Sequence, residues 1–351
     1  MKSFEPRFLE RHPVPGRLVP TLVLLGEFNG KQALYIQQMP QVLETLRQAA
    51  IIQSTESSNR LEGITAPRRR IQDLVLQKTT PRNRSEQEIA GYRDVLSTIH
   101  ANHEHVNLTP GLLLQFHRDL YRFMDQGGGR WKPVDNEIVE SRPDGTRLIR
   151  FRPVPAHETP EAMARLHERF GERWRAGEVE KLLLISAYVL DFLCIHPFLD
   201  GNGRMARLLS LLLLYQAGYK VGRYISLEKI IEDSRETYYE SLYASSQRWH
   251  QGRHDPWPWT EYFLGVLVAA CREFEGRVGL VTAPRGAKTE MVLEAIRRLP
   301  VQFRLVDLEQ LCPAVTREMI RVVLKRLRKE GKIHCEGRGR GAVWLKEGNN
   351  P

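Results

Sequence analysis

The sequence is poor in cysteine. It has four in 351 residues, Cys194, Cys271, Cys312 and Cys335, with no CxxC pair among them. So sparse a set excludes a disulfide-built scaffold and suits reduced thiols in a cytoplasmic protein. Long apolar runs are missing too. Leu182–Ile195 is interrupted by Asp191 and Leu208–Tyr215 is short, whereas a bilayer-spanning helix needs about 20 apolar residues. The opening stretch MKSFEPRFLERHPVPG has no apolar signal-peptide core. The 26 glycines follow no period, which excludes a collagen-like chain. No internal repeat or low-complexity tract occurs. These absences point to a soluble, cytoplasmic protein without a membrane partner. With 42% hydrophobic residues the chain can bury a sizeable core, and its length suits about two or three domains.

Acidic residues are scarce near the C-terminus. Between Arg285 and Lys346 there are 15 Lys and Arg against 7 Asp and Glu, so this stretch holds +8 of the net +10. Such asymmetry marks a separate module that meets a polyanion. The small, Pro- and Gly-containing segment Thr282–Ala287 before it suits a linker. Helical spacing covers Thr289–Leu299 and Val306–Leu311. A third helix, capped by Thr316 and stopped by Gly331, carries Met319, Ile320, Val323, Leu324 and Leu327 on one face. Ile333–Cys335 and Ala342–Leu345 read as strands around the turn Gly337–Gly341. Three helices and a hairpin resemble a winged helix-turn-helix. Its third helix would present Arg317, Arg321, Lys325, Arg326, Arg328 and Lys329 to DNA, and its wing Arg338 and Arg340. The plainer reading is a solvated basic face on a protein-interaction module.

Upstream, periodicity predicts helices over Met39–Ala50, Ile51–Leu61, Ser85–His100, Thr109–Phe123, Thr159–Ala176, Val179–Ile195, Gly203–Ala217, Glu228–Arg235, Glu236–Trp249 and Trp259–Phe274. Within Arg130–Pro155, Glu137–Glu140 and Arg147–Phe151 flank Pro143-Asp144-Gly145-Thr146, the pattern of a β-hairpin. A lone hairpin in a helical domain leaves open edges.

The most informative stretch is His196-Pro197-Phe198-Leu199-Asp200-Gly201-Asn202-Gly203-Arg204-Met205-Ala206-Arg207. An apolar helix runs into His196 and is ended by Pro197. The Gly201–Gly203 turn opens a second apolar helix, whose first amides are unpaired and lie at the positive end of its dipole. Anions bind there, and glycines let a phosphate approach the backbone. Arg204 and Arg207 lie three apart on one helical face, which fits a polyphosphate. Asp200 is a hard oxygen donor suited to Mg²⁺. His196 is the side chain best suited to take a proton near neutral pH. The implied chemistry is attack of a hydroxyl on a nucleotide phosphate.

This stretch resembles the Fic family signature H-x-F-x-(D/E)-G-N-G-R-x-x-R, and every specified position matches. The resemblance extends over about residues 20–275. It implies a mainly α protein with a helical Fic core and a β-hairpin flap, followed here by the small winged-helix domain. The implied reaction transfers AMP from ATP to a hydroxyl of a target protein's Ser, Thr or Tyr. His196 would be the base and Asp200 the Mg²⁺ ligand. Gly201, Asn202, Gly203 and Arg204 would hold the phosphates, and Arg207 the γ-phosphate. Phe198 would anchor the loop. The related Doc branch, which phosphorylates, has a bulkier loop, so Gly201, Gly203 and Arg204 favour adenylylation.

Ser58-Asn59-Arg60-Leu61-Glu62-Gly63 matches the family's inhibitory motif, (S/T)-x-x-x-E-(G/N). The resemblance implies that Glu62 pairs with Arg207 and blocks the γ-phosphate position. On a helix Ser58 and Glu62 share a face, and Gly63 can end it. In the hairpin, Glu137, Ile138 and Val139 are the expected flap residues that pair with a target strand. Tyr238 and Tyr239 fall where the family holds adenine, and equally suit core aromatics. The expected domains are 1–95 with the inhibitory helix, 96–283 as catalytic core and 284–351 as the tail. Family members are often dimeric, and the sequence leaves that open. Two other readings stand beside adenylylation. One is a DNA-binding regulator whose Fic domain senses nucleotide. The other is a different nucleotidyl or phosphoryl transfer, including removal of AMP.

Overall fold

The computed structural model describes residues 2–5, 8–38, 40–125, 127–141, 146–279, 287–312, 315–337 and 342–347. The chain divides into two compact units, Met1–Gln32 with Ala50–Cys271, and Ala33–Ala49 with Arg272–Pro351. In chain order the early helices are α1 (Phe8–Arg11), α2 (Val19–Gln38), α3 (Pro40–Leu61), α4 (Arg68–Val75), α5 (Arg84–Asn102) and α6 (Pro110–Leu120). A hairpin follows, β1 (Ile138–Ser141) and β2 (Arg147–Phe151). Then come α7 (Thr159–Ala176), α8 (Lys181–Ile195), α9 (Asn202–Gln216), α10 (Leu227–Asp233), α11 (Arg235–Ser246) and α12 (Trp257–Gly279).

Local chemistry explains these boundaries. Asn83 caps α5 by accepting the Glu86 amide at 3.0 Å, and Thr109 caps α6 by accepting that of Leu112 at 3.1 Å. Gly177, at φ 68°, ends α7 in the left-handed conformation. Helix α8 is apolar around its circumference and buried nearly throughout, and α9 is buried almost as fully. Such helices belong at the centre. Helix α8 packs on α7 and α9, and α5 packs on α6 and α9. Each fully buried Leu or Phe in this core stabilises the fold by about 1.5–3 kcal/mol. The loop between α8 and α9 therefore leaves one buried helix and enters another, which holds both its ends fixed.

Several elements differ from expectation. Helix α3 is continuous where a break at Ala50 was expected, because nothing in Ala49-Ala50-Ile51 interrupts a helix. Helices α2 and α4 were unforeseen. Gly26 and Gly30 dilute the helical signal in α2. Helix α11 stops at Ser246, and Trp249 lies in a separate 3₁₀ turn. The hairpin is antiparallel, with Val139 opposite Ile149 and Ser141 opposite Arg147. Pro143, Asp144 and Gly145 of its expected turn lie outside the described residues.

In the second unit, α13 (Ala287–Arg298), α14 (Leu305–Leu311) and α15 (Arg317–Lys329) join β3 (Gln302–Arg304), β4 (Ile333–Glu336) and β5 (Val343–Lys346). The sheet order is β3-β5-β4, antiparallel throughout. Strand β3 was unforeseen. The core gathers Val292, Ile296, Phe303, Leu308, Ile320 and Leu324. Most of the expected linker and the turn bearing Arg338 and Arg340 lie outside the described residues. Among the described residues no helix is long and apolar enough to cross a membrane.

Candidate active site

His196 caps the C-terminus of α8 with φ 52° and ψ 61°, while its amide donates to the Phe192 carbonyl at 2.9 Å. A non-glycine residue in this region costs about 1–3 kcal/mol and persists only where its surroundings hold it. The Nδ1 lies 3.2 Å from the Leu193 carbonyl oxygen. A carbonyl only accepts, so Nδ1 carries the proton and Nε2 keeps its lone pair. Burial, aided by the nearby Lys132 ammonium, lowers the imidazole pKa to about 4. The ring is thus neutral at physiological pH and ready to accept a proton.

The loop is braced from within and from α6. The Asn202 side chain accepts the Phe198 amide at 3.0 Å and donates to the Phe198 carbonyl at 2.7 Å. That side chain is spent on the loop, so any part of Asn202 in holding phosphate falls to its backbone. Phe198 is fully buried, stacked on His117 at 3.8 Å and on Trp131 at 5.3 Å. His117 accepts the Gly129 amide at Nδ1 (2.8 Å), so its Nε2–H donates to the Asp200 carbonyl at 3.1 Å. Burial holds His117 neutral, its pKa lowered to about 4. Gly128 permits this approach, since a Cβ there would lie 2.3 Å from the His117 carbonyl oxygen.

Gly201 begins α9 at φ 81°, and no side chain caps the helix. A helix start without a capping side chain leaves amides that suit an anion. Asp200 stands at the rim, its side chain 62% exposed. Burial works to raise the Asp200 pKa, but the Arg204 charge, the Tyr121 hydroxyl and the Gly201 amide outweigh it and hold the carboxyl below its ordinary value.

The two arginines differ from each other. Arg204 is fully buried. One guanidinium nitrogen sits 2.7 Å from a Glu88 carboxylate oxygen, and the other donates to the Tyr121 hydroxyl at 2.8 Å. The Glu88 contact is off the line of a directed hydrogen bond, so it acts as a buried ion pair, in which removal of either partner commonly costs about 3–5 kcal/mol. Arg204 is therefore a fixed charge behind the anion site rather than an open ligand.

Arg207 turns to the end of α3. Its Nε donates to Ser58 Oγ at 2.8 Å, and a terminal nitrogen donates to the Ser58 carbonyl at 2.8 Å and to Glu62 Oε1 at 2.7 Å. Burial lowers the Arg207 pKa, but Glu62 leads the interactions that hold it above its ordinary value. Gly63, at φ 77°, ends the segment. The Glu62 carboxylate lies against the first turn of α9: a Cβ on Gly203 would sit 2.2 Å from Glu62 Oε1. A second row of bonds seats the same helix. Ser54 donates to Glu228 at 2.6 Å, Ser57 donates to Glu232 at 2.7 Å, and Arg60 donates to Glu232 at 2.8 Å.

Tyr238 is buried among aromatics, with Trp259 and Tyr262 each 5.8 Å away. The cavity it lines with Arg207, Leu227 and Glu228 is about 30 Å³, room for water and not for an adenine ring. Tyr238 is a core residue here. Tyr239 is 43% exposed and donates to the Leu61 carbonyl at 3.4 Å. In the hairpin, Ile138 and Val139 lie on β1, half-buried, and Glu137 just before it pairs with Arg152 at 3.3 Å. The sequence reading grouped residues that the structure also places near one another: His196, Asp200, the glycines, both arginines, Ser58 and Glu62. It missed Glu88, His117 and Tyr121. Only the glycine run at 127–129 hinted at a close backbone approach.

A sequence profile described as the Fic/DOC family matches residues 107–214. A Fido domain-containing protein of Dictyostelium discoideum is 36% identical over 70 residues, 20% of this chain and 45% of that protein, so the match spans less than half of the relative's length. A Fic family protein from Desulfovibrio desulfuricans has a similar fold, with a TM-score of 0.62 at 22% identity, over 97% of this chain and 98% of that one. A Fic domain containing signaling protein from Bacteroides thetaiotaomicron aligns with a TM-score of 0.59 at 20% identity, over 71% of this chain and 94% of that one. Fic-1 from C. elegans does so with a TM-score of 0.59 at 16% identity, over 75% of this chain and 73% of that one. At these identities the structural likenesses speak to fold alone. The profile match and the loop geometry at 196–207 together establish that this chain carries a Fic/DOC family domain, of a family that carries out AMPylation-type transfer.

Proposed function

We propose that this protein transfers AMP from ATP to a hydroxyl side chain of a target protein, and that Glu62 restrains the reaction. The observation that carries the reading is the Glu62 carboxylate at the first turn of α9, bonded to Arg207 at 2.7 Å. An anion already occupies the place where a terminal phosphate would take the same donors. In the transfer, the target's hydroxyl oxygen attacks the α-phosphorus and its proton passes to His196 Nε2. The bond from the α-phosphorus to the bridging oxygen breaks and pyrophosphate leaves. Arg204, held by Glu88 and Tyr121, keeps a fixed positive charge behind the phosphates.

The donor set also fits magnesium. Asp200 offers one exposed carboxylate, and no group of three or more His, Cys, Asp or Glu gathers among the described residues. Asp200 would hold the ion together with phosphate oxygens of the nucleotide. When bound, magnesium would neutralise charge on the leaving pyrophosphate. Mass spectrometry of a target labelled by the Glu62→Gly variant is expected to show an added AMP. An added UMP or phosphate, or loss of AMP from a pre-labelled protein, would replace this reading with the corresponding chemistry.

A second reading concerns the C-terminal unit and rests on α15. Arg321, Lys325, Arg328 and Lys329 are exposed there, and none has an ion-pair partner among the described residues. A winged helix that docks this face on DNA would put them on phosphates. Removing Arg321 and Lys325 together should then lower the slope of log affinity against log salt by about 2. An unchanged slope would remove α15 from the interface. Salt-dependent DNA binding that survives His196→Ala, with no labelling by ATP, would favour a regulator over a transferase.

A further inference from the structure

Lys132 is a lysine in an unusual place. It is only 3% exposed, and no carboxylate lies within ion-pair distance among the described residues. Burial lowers its pKa to about 8, with Asp135 pulling weakly the other way. A methionine could fill such a volume without the penalty of an unpaired buried ammonium. Something other than packing must offset that penalty.

Its contacts identify what it holds. The Nζ donates to the Ile195 carbonyl at 3.1 Å and to Asn136 Oδ1 at 2.8 Å. The Lys132 amide donates to the Pro197 carbonyl at 2.8 Å. Asn136 Nδ2 donates to the Phe198 carbonyl at 2.9 Å. The carbonyls on either side of His196, and the next one along, are thus gripped by one short segment. Trp131, just before Lys132, stacks on Phe198. The gripped stretch is where the backbone turns left-handed at His196. The same segment runs directly into β1, which begins at Ile138.

We propose that Lys132 and Asn136 are positioning residues, a clamp that fixes His196 for proton transfer and couples its geometry to the β1–β2 hairpin. The proposal rests on the transfer reading above, in which His196 is the base. Neither residue touches the reacting atoms. Each acts through the carbonyls of residues 195 and 198. A target segment docked on the hairpin would draw on the same clamp, so its seating and the aim of Nε2 are set together.

The test uses the full chain in the Glu62→Gly background, with Lys132→Met and Asn136→Leu alone and combined. Transfer kcat is expected to fall about 10- to 100-fold in each single variant, the loss that a small misplacement of a catalytic group brings. The KM for ATP should stay within about twofold, because an interaction that matters only in the transition state leaves ground-state binding alone. The combined variant should be no slower than the worse single one, since both act through one clamp. A separate readout needs no activity. The ring ¹⁵N resonances of His196, assigned by their loss in His196→Ala, should shift in both single variants while the thermal midpoint is held. Unshifted resonances, or unchanged kcat in a folded variant, would overturn the clamp. Should Lys132→Met fold poorly, the partly exposed Asn136 carries the same test. Absence of transfer in Glu62→Gly itself, with the His196 resonances still shifting, would sink the transfer reading and leave the clamp standing.

Discussion

Replacing Glu62 with glycine is expected to raise the initial rate of self-labelling with α-labelled ATP by about 10- to 100-fold. The size follows from what Arg207 must give up. Its terminal nitrogen is shared between Glu62 Oε1 and the Ser58 carbonyl, and its Nε is held by Ser58 Oγ. A hydrogen bond to a charged group contributes about 1.5–3 kcal/mol, and each 1.4 kcal/mol is a factor of ten. A phosphate that competes for the same donor must first displace that carboxylate. The glycine variant removes the competitor and clears the approach to Gly203, where Glu62 Oε1 now sits. It leaves the helix seated, because Ser54, Ser57 and Arg60 still hold Glu228 and Glu232. The effect should therefore be local, with little change in thermal midpoint. Glu62→Gln, which keeps the size and loses the charge, should fall between. Equal rates for wild type and Glu62→Gly would remove Glu62 from any inhibitory role.

What could be read in advance depended on how the information is laid along the chain. His196 through Arg207 is contiguous: a helix stop, a tight turn and a helix start bring His196, Asp200 and the arginines together by local geometry alone. Ser58 and Glu62 lie 149 and 145 positions from Arg207, and their motif linked them to it only through the family resemblance. Glu88 had no such signal. Its spacing from Arg84 reads as a surface i,i+4 pair, and that pair does form at 3.1 Å. Its other oxygen meets Arg204, which only the packing of α5 on α9 brings about. Lys132 gave even less, since a lysine before a proline looks like an ordinary loop cation. Of the two neighbouring tyrosines, burial sends Tyr238 to the core and leaves Tyr239 outside, a distinction one-dimensional spacing cannot make on a helix whose two faces are both partly apolar. Placements that depend on local order were legible, and placements that depend on which helices meet were not.

Replacing His196 with alanine in the Glu62→Gly background is expected to lower kcat by about 10²–10⁴, the usual contribution of a positioned general base, with nucleotide affinity retained. The Nδ1 contact to Leu193 fixes the tautomer in which Nε2 is the acceptor, so the neutral ring is the active form. Protonation removes activity, and rising pH restores it as the ring passes its pKa. Burial, with Lys132 adding to it, lowers that pKa to about 4. An unperturbed imidazole titrates near about 6.5. The two cases separate clearly in kcat/KM, which reports the free enzyme. With the lowered value, kcat/KM at about pH 5.5 should be within twofold of that at about pH 7.5; an imidazole titrating near 6.5 would lose about tenfold over the same interval. The plateau should give way on the alkaline side near about pH 8, where the buried Lys132 ammonium begins to lose its proton and the grip on the Ile195 carbonyl weakens. A tenfold loss by about pH 5.5 that disappears in the residual activity of His196→Ala would assign an ordinary pKa to His196, and would mean that the ring is solvated in the working enzyme.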